Sequence, residues 1–306
     1  MATRSIFYNG EPRLRAGWRL LIQSFLLSFL TFCAFFPFAF APRFANTAEL
    51  FFLQVAAFFG TTLSILLARR FLDKRTFVSL GIKMNGWAFL DLLTGIIITF
   101  LMMALIFIIQ WAAGWVTFDS YVWQTESFST VILETFVVVV TFFLVGWNEE
   151  LLSRGYHLQT LESGLNTFWA VVLSSAVFSI LHFANPNAES TEFIAVGLFL
   201  AGVFLAFGYL RTRQLWLPIG LHIGWNFFEG FVFGFPVSGI EYFRLILITV
   251  DGPEFLTGGR FGPEAGLVLI PGMVLGFALV YLYTRGRNMI PKSQESRVTT
   301  NESHSS

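Results

Sequence analysis

Cysteine is almost missing from this chain. A single thiol, Cys33, lies inside an apolar run, so an intramolecular disulfide and Cys-rich zinc sites are excluded. The residue reads as a small buried apolar group. Charge is scarce too. Asp, Glu, Lys and Arg make up 12% of the residues, against roughly 25% in ordinary soluble domains. The 19 basic and 19 acidic residues cancel, and no basic patch remains for a nucleic acid once the loop charges are placed. No internal repeat is visible, which weakens a transporter built from inverted halves.

Apolar residues take the place of the missing charge: 55% are hydrophobic and 39 are phenylalanine. Long apolar runs recur, the pattern of a polytopic helical membrane protein. Eight spans are expected, near 18–41, 49–68, 88–116, 131–158, 167–185, 193–210, 216–235 and 265–284, bracketing the ~20 residues needed to cross ~30 Å of hydrocarbon. The first run follows four arginines and, at about 23 residues, is too long for a signal-peptide core; it reads as a retained span.

Cytoplasmic loops concentrate Lys and Arg. With the N-terminus inside, the inner segments collect 15 of the 19 basic residues. The expected fold is therefore an all-α polytopic transmembrane bundle of about eight spans with both termini cytoplasmic. It divides into an N-terminal cytoplasmic segment (1–17), three spans with their loops (18–130), a core (131–235), an outer loop and last span (236–284), and a polar tail (285–306). The tail is Ser-rich and reads as disordered. Residues 71–86 read as a cytoplasmic linker and 117–130 as an acidic outer loop. The Gly- and Pro-rich stretch 236–264 is a long outer loop with the composition to dip back into the membrane.

The fourth span carries Trp147-Asn148-Glu149-Glu150-Leu151-Leu152-Ser153-Arg154. A carboxylate in hydrocarbon costs several kcal/mol, so intramembrane acids are functional candidates by default. Glu150 and Arg154 are four apart and share a helix face. Glu149 points about 100° away, towards a cavity. The bland alternative is a buried ion network that only joins helices, but one arginine neutralises one glutamate and not both. In the fifth span, Phe178 and His182 share a face. If the chain turns near 164–166, His182 and Glu149 stand at similar height on antiparallel helices. His182 is followed closely by Asn185 and Pro186, so either this span ends inside the bilayer around a polar cavity or the turn lies elsewhere. In the seventh span, Pro218 suits a first turn, His222 and Asn226 share a face, and Gly220 with Gly224 permits close helix approach. The depths of Glu149 and His222 place the site near the cytoplasmic face.

A free carboxylate, two imidazoles and an amide suit hydrolysis. Glu149 can act as general base with His182 helping to orient water, and His222 with Asn226 can stabilise an oxyanion. Alternatively Glu149, His182 and His222 can bind Zn²⁺ with an open water position. The residues leave both open, although no His-Glu-x-x-His helix is present.

Three motifs in order, Glu149-Glu150-x-x-x-Arg154, Phe178-x-x-x-His182 and His222-x-x-x-Asn226, resemble the CPBP (Abi) family of intramembrane proteases, which includes glutamate-type CAAX prenyl proteases. The resemblance covers about 131–235, and Ser153 stands where many members have an apolar residue. It implies an intramembrane CAAX-type endopeptidase of the cell membrane, with Glu149, His182, His222 and Asn226 catalytic and Glu150, Arg154 and Phe178 supporting. It also implies a site reached laterally or from the cytoplasm and a lipidated-protein, membrane-protein or peptide substrate. The family has been described both as metalloproteases and as zinc-free, and a zinc-free site is slightly favoured here. The competing readings are a non-catalytic immunity or binding protein on the same scaffold and, third, a transporter.

Overall fold

The computed structural model describes residues 6–7, 13–40, 46–188 and 191–287. The described residues form a helical membrane bundle: α1 (Ala16–Phe35), α2 (Asn46–Leu67), α3 (Gly86–Ala112), α4 (Phe128–Glu150), α5 (Leu158–Gly164), α6 (Thr167–Leu181), α7 (Thr191–Thr212), α8 (Trp216–Asn226), α9 (Glu254–Thr257) and α10 (Leu269–Thr284). The tail expected to be disordered from Asn288 falls outside the described residues.

Several helix starts follow from their caps. Asn85 accepts from the amides of Trp87 and Ala88 at the head of α3. Ser127 caps α4 through Thr130 N–H, and Asn166 caps α6 through Trp169 N–H. Each satisfies amides that the helix itself leaves unpaired.

Among the described residues, six helical segments are long and apolar enough to cross a membrane, although all eight expected spans coincide with helix. The two that fall short are α8, of 11 residues, and α10, of 16. Both flank the 236–268 connection, which folds into the bundle. A helix end sheltered by protein need not cover the whole hydrocarbon thickness.

The all-helical expectation misses one small element. β1 (Val116–Tyr121) pairs antiparallel with β2 (Ile246–Val250), so the loop after α3 and the loop before α9 join as a two-stranded sheet. Cys33 also departs from expectation: it is exposed. On α1 it lies among outward-facing Phe25, Phe29 and Phe32, where a bilayer solvates an apolar thiol as well as a core does.

Lipid tails are as apolar as Leu, so helices in a bilayer associate through close packing and polar ties. The closest packing runs between α3 and α8. A Cβ on Gly220 would stand 2.1 Å from Leu92 O, and one on Gly224 would stand 2.2 Å from Thr99 Oγ1. From the other side, a Cβ on Gly95 would meet Leu221 N at 2.5 Å. The Gly220/Gly224 pair is thus a packing seam. Buried ion pairs tie the bundle at Arg19–Asp73–Arg69 and at Arg287–Asp91, 2.6 Å.

Candidate active site

The site begins where α4 changes pitch. Glu149 and Glu150 are its last two residues, and the helix continues as a π-turn over Leu151–His157. α8 does the same, passing into a π-turn over Phe227–Val232 directly after Asn226. Such insertions in helices are frequent at functional sites. α4 and α8 also touch closely here: a Cβ on Gly146 would lie 2.6 Å from Ile223 Cγ1.

The two glutamates separate as the helical period requires. Glu150 has no exposed side-chain surface, whereas Glu149 keeps 31% of its own exposed. Glu150 Oε1 accepts from Arg154 Nη1 at 2.6 Å and from His222 Nδ1 at 2.8 Å. Arg154 then donates to Gly202 O at 2.9 Å, and its guanidinium lies 4.6 Å above the centre of the Phe178 ring. The same ring stands 4.6 Å from the ring of His182 and 6.2 Å, edge-on, from that of His222. Phe178 is therefore the packing hub of the site as well as a wall.

His182 is fixed from its own helix: Nδ1 sits 2.8 Å from Phe178 O. A carbonyl only accepts, so this nitrogen carries the proton and Nε2 is the free position. His222 repeats the arrangement with Glu150 as acceptor. Both Nε2 atoms face Glu149 Oε2, at 3.7 Å for His182 and 3.8 Å for His222. Asn226 follows His222 by one turn, and both residues are buried. All four line a cavity of about 260 Å³ within the bundle.

α6 stops at Leu181, immediately before His182. The first of the two alternatives for this span therefore holds: the helix ends inside the bundle around a polar cavity, with the turn between α5 and α6 at residues 165–166. The polar residues that follow are tied to the 236–268 connection, Asn185 Nδ2 to Ser238 O at 3.0 Å and Asn187 Nδ2 to Gly239 O at 2.9 Å.

Sequence reasoning missed several lining residues: Gln54 from α2, Asn185, and Ser238, Tyr242 and Glu264 from the connection. Gln54 is held by Asn148 Nδ2 at 3.1 Å. For Glu264 the available signal was one acid among several in a Gly- and Pro-rich stretch, where its four-residue spacing from Arg260 defines no helix face.

Among the described residues no group of three or more His, Cys, Asp or Glu is arranged to hold a metal ion. The separations of 3.7 and 3.8 Å around Glu149 leave room for a shared water.

A helical membrane bundle that gathers a carboxylate, two oriented imidazoles and an amide around an internal cavity suits hydrolysis. Residues 130–228 match the family model described as type II CAAX prenyl endopeptidase Rce1-like, a match consistent with the CAAX protease family and supporting a protease. The match spans 99 of the 306 residues, counting 130 to 228 inclusive. It takes in every motif residue from Glu149 to Asn226 and ends before Glu264. None of the curated proteins matches the chain.

Proposed function

We propose that this multi-pass membrane protein is an endopeptidase that cleaves a membrane-associated or lipidated, CAAX-type protein or peptide, with Glu149 as its base. One observation carries the reading: Glu149 Oε2 faces the Nε2 atoms of both histidines, while its neighbour Glu150 is committed to Arg154 and His222. A water between these groups gives one proton to Glu149 and is steered by the free Nε2 of His182. The resulting hydroxide adds to the scissile carbonyl. Charge develops on the carbonyl oxygen, where the Asn226 amide and a protonated His222 Nε2 donate to it. Glu150 at Nδ1 stabilises the imidazolium that this role requires. As the C–N bond breaks, Glu149 returns its proton to the leaving amine nitrogen. A donor of this kind contributes about 3–4 kcal/mol to such a transition state.

We propose the zinc-free form of this chemistry, because a metal-bound Glu149 would no longer be a free base. The protein sits in the cell membrane with its cavity reached from the cytoplasmic side. Supporting this, Lys and Arg gather at the ends of α2, α7 and α10 and before α1 and α3, and the 236–268 connection covers the cavity from the opposite end.

The test is cleavage. Purified wild type and Glu149→Ala are incubated in nanodiscs with peptides from co-resident membrane proteins and with a prenylated CAAX peptide, and products are read by mass spectrometry. Wild type cleaves and Glu149→Ala does not. Equal activity of the two proteins, or a deletion phenotype rescued by Glu149→Ala, defeats the proposal and favours the non-catalytic scaffold.

A further inference from the structure

Five acidic side chains are buried among the described residues: Asp73, Asp91, Glu150, Glu229 and Glu264. Three have an arginine. Asp73 has Arg19 and Arg69, Asp91 has Arg287, and Glu150 has Arg154. Glu229 and Glu264 form no ion pair with any described Lys or Arg. These two are neighbours. Glu229 Oε1 would lie 3.3 Å from a Cβ on Gly262, which puts its head against the turn that carries Glu264. The Trp225 indole N–H donates to Glu264 Oε1 at 3.0 Å.

Their remaining partners differ. Glu264 Oε2 accepts from Ser238 Oγ at 2.5 Å, whereas both oxygens of the fully buried Glu229 have no hydrogen-bond partner. Glu264 and Ser238 line the catalytic cavity, whose basic lining side chains are His182 and His222, with no described Lys or Arg among them. Two adjacent buried carboxyls without a cation leave a charge that must be met by protons or by a positive group from outside. The cavity is the route by which such a group can arrive. Its walls on the way are apolar, including Val237, Phe204 and Met273, and an aliphatic stem packs on such a surface while its charged head finds a polar end.

We propose that Glu264, seated on Ser238 and Trp225 and backed by Glu229, is a recognition subsite for a basic side chain of the substrate, a primary ammonium or guanidinium. The assignment rests on the proposed reading of the cavity as the space that holds the substrate, and not on the hydrolytic step. It adds to the catalytic cluster a specificity determinant from a part of the chain that the family match does not reach. The ammonium supplies the missing cation to Glu264 through charge-assisted hydrogen bonds, and a neutral isostere leaves the pair as it is in the free protein.

The experiment measures binding without cleavage. Full-length Glu149→Ala protein in phosphatidylcholine nanodiscs is titrated against fluorescent Ala-rich nonapeptides carrying Lys or norleucine at one scanned position, and affinity is read by anisotropy. At one position the Lys peptide binds roughly tenfold or more tightly than its norleucine twin, and the ratio falls towards one in Glu149→Ala/Glu264→Gln. Equal affinity at every position, or a ratio retained in the double variant, overturns the proposal. The first comparison needs no Glu264 variant, so misfolding of the double variant does not protect the idea. If wild type cleaves no peptide while the Lys preference persists, the proteolytic reading fails and this one stands.

Discussion

Changing Glu150 to Gln separates the two adjacent carboxylates by consequence. Gln keeps the volume and removes the charge that holds Arg154 at 2.6 Å and His222 at 2.8 Å. Arg154 is 1% exposed and retains only Gly202 O and the face of Phe178. A buried cation stripped of its partner costs about 3–5 kcal/mol, and Glu150→Gln should lose that much stability. Glu149→Gln alters a partly exposed group with no arginine partner, so its stability should stay within about 0.5 kcal/mol of wild type while hydrolysis is lost. The assay is reversible unfolding in mixed micelles of dodecyl maltoside and SDS, followed by tryptophan fluorescence. A double-mutant cycle with Arg154→Met supplies the coupling: the double variant should be less destabilised than the sum of the singles. Glu150→Gln within about 1 kcal/mol of wild type, or Glu149→Gln equally destabilised, would falsify the division of roles.

Other outcomes follow from the same geometry. Asn226→Ala should lower kcat by about 10²–10³-fold with little change in KM, as expected for loss of an oxyanion donor; an unchanged kcat removes Asn226 from that role. Gly220→Ala forces a methyl against Leu92 O and should cost about 1–3 kcal/mol in the same unfolding assay, whereas a neutral effect would mean that α3 and α8 part freely. Exhaustive dialysis against 1,10-phenanthroline should leave hydrolysis intact. Near-stoichiometric zinc in purified wild type that disappears in His182→Ala would refute the zinc-free proposal.

Functional weight and packing weight meet in this site. Arg154 ties Glu150 on α4 to Gly202 on α7, Glu150 orients His222 on α8, and Phe178 on α6 lies against Arg154, His182 and His222. One buried network thus joins four helices and sets both imidazoles. In the proposed mechanism Arg154 and Phe178 are positioning residues, and Glu149 is the acid the network leaves free.

The local features of this site were legible in the amino-acid sequence because they depend on helical period and transfer cost alone. Apolar runs located the helices, four-residue spacing paired Glu150 with Arg154, and the distance across the 165–166 turn brought His182 level with Glu149. Contacts between distant segments were not legible. No period links residue 150 to 222, so the hydrogen bond that orients His222 emerged only when α4 and α8 packed at Gly146. The pairing of β1 with β2 joins loops more than a hundred residues apart, and the descent of Ser238 and Glu264 into the cavity depends on contacts with Asn185 and Trp225 that no sequence period links. Cys33 shows the same limit from the other side: an apolar residue in a membrane helix is equally content facing protein or lipid, and only the packed bundle decides which. The sequence marked the two glutamates as costly. The tertiary structure decided which of them would be neutralised, because the arginine lies on one face of the helix and the cavity on the other.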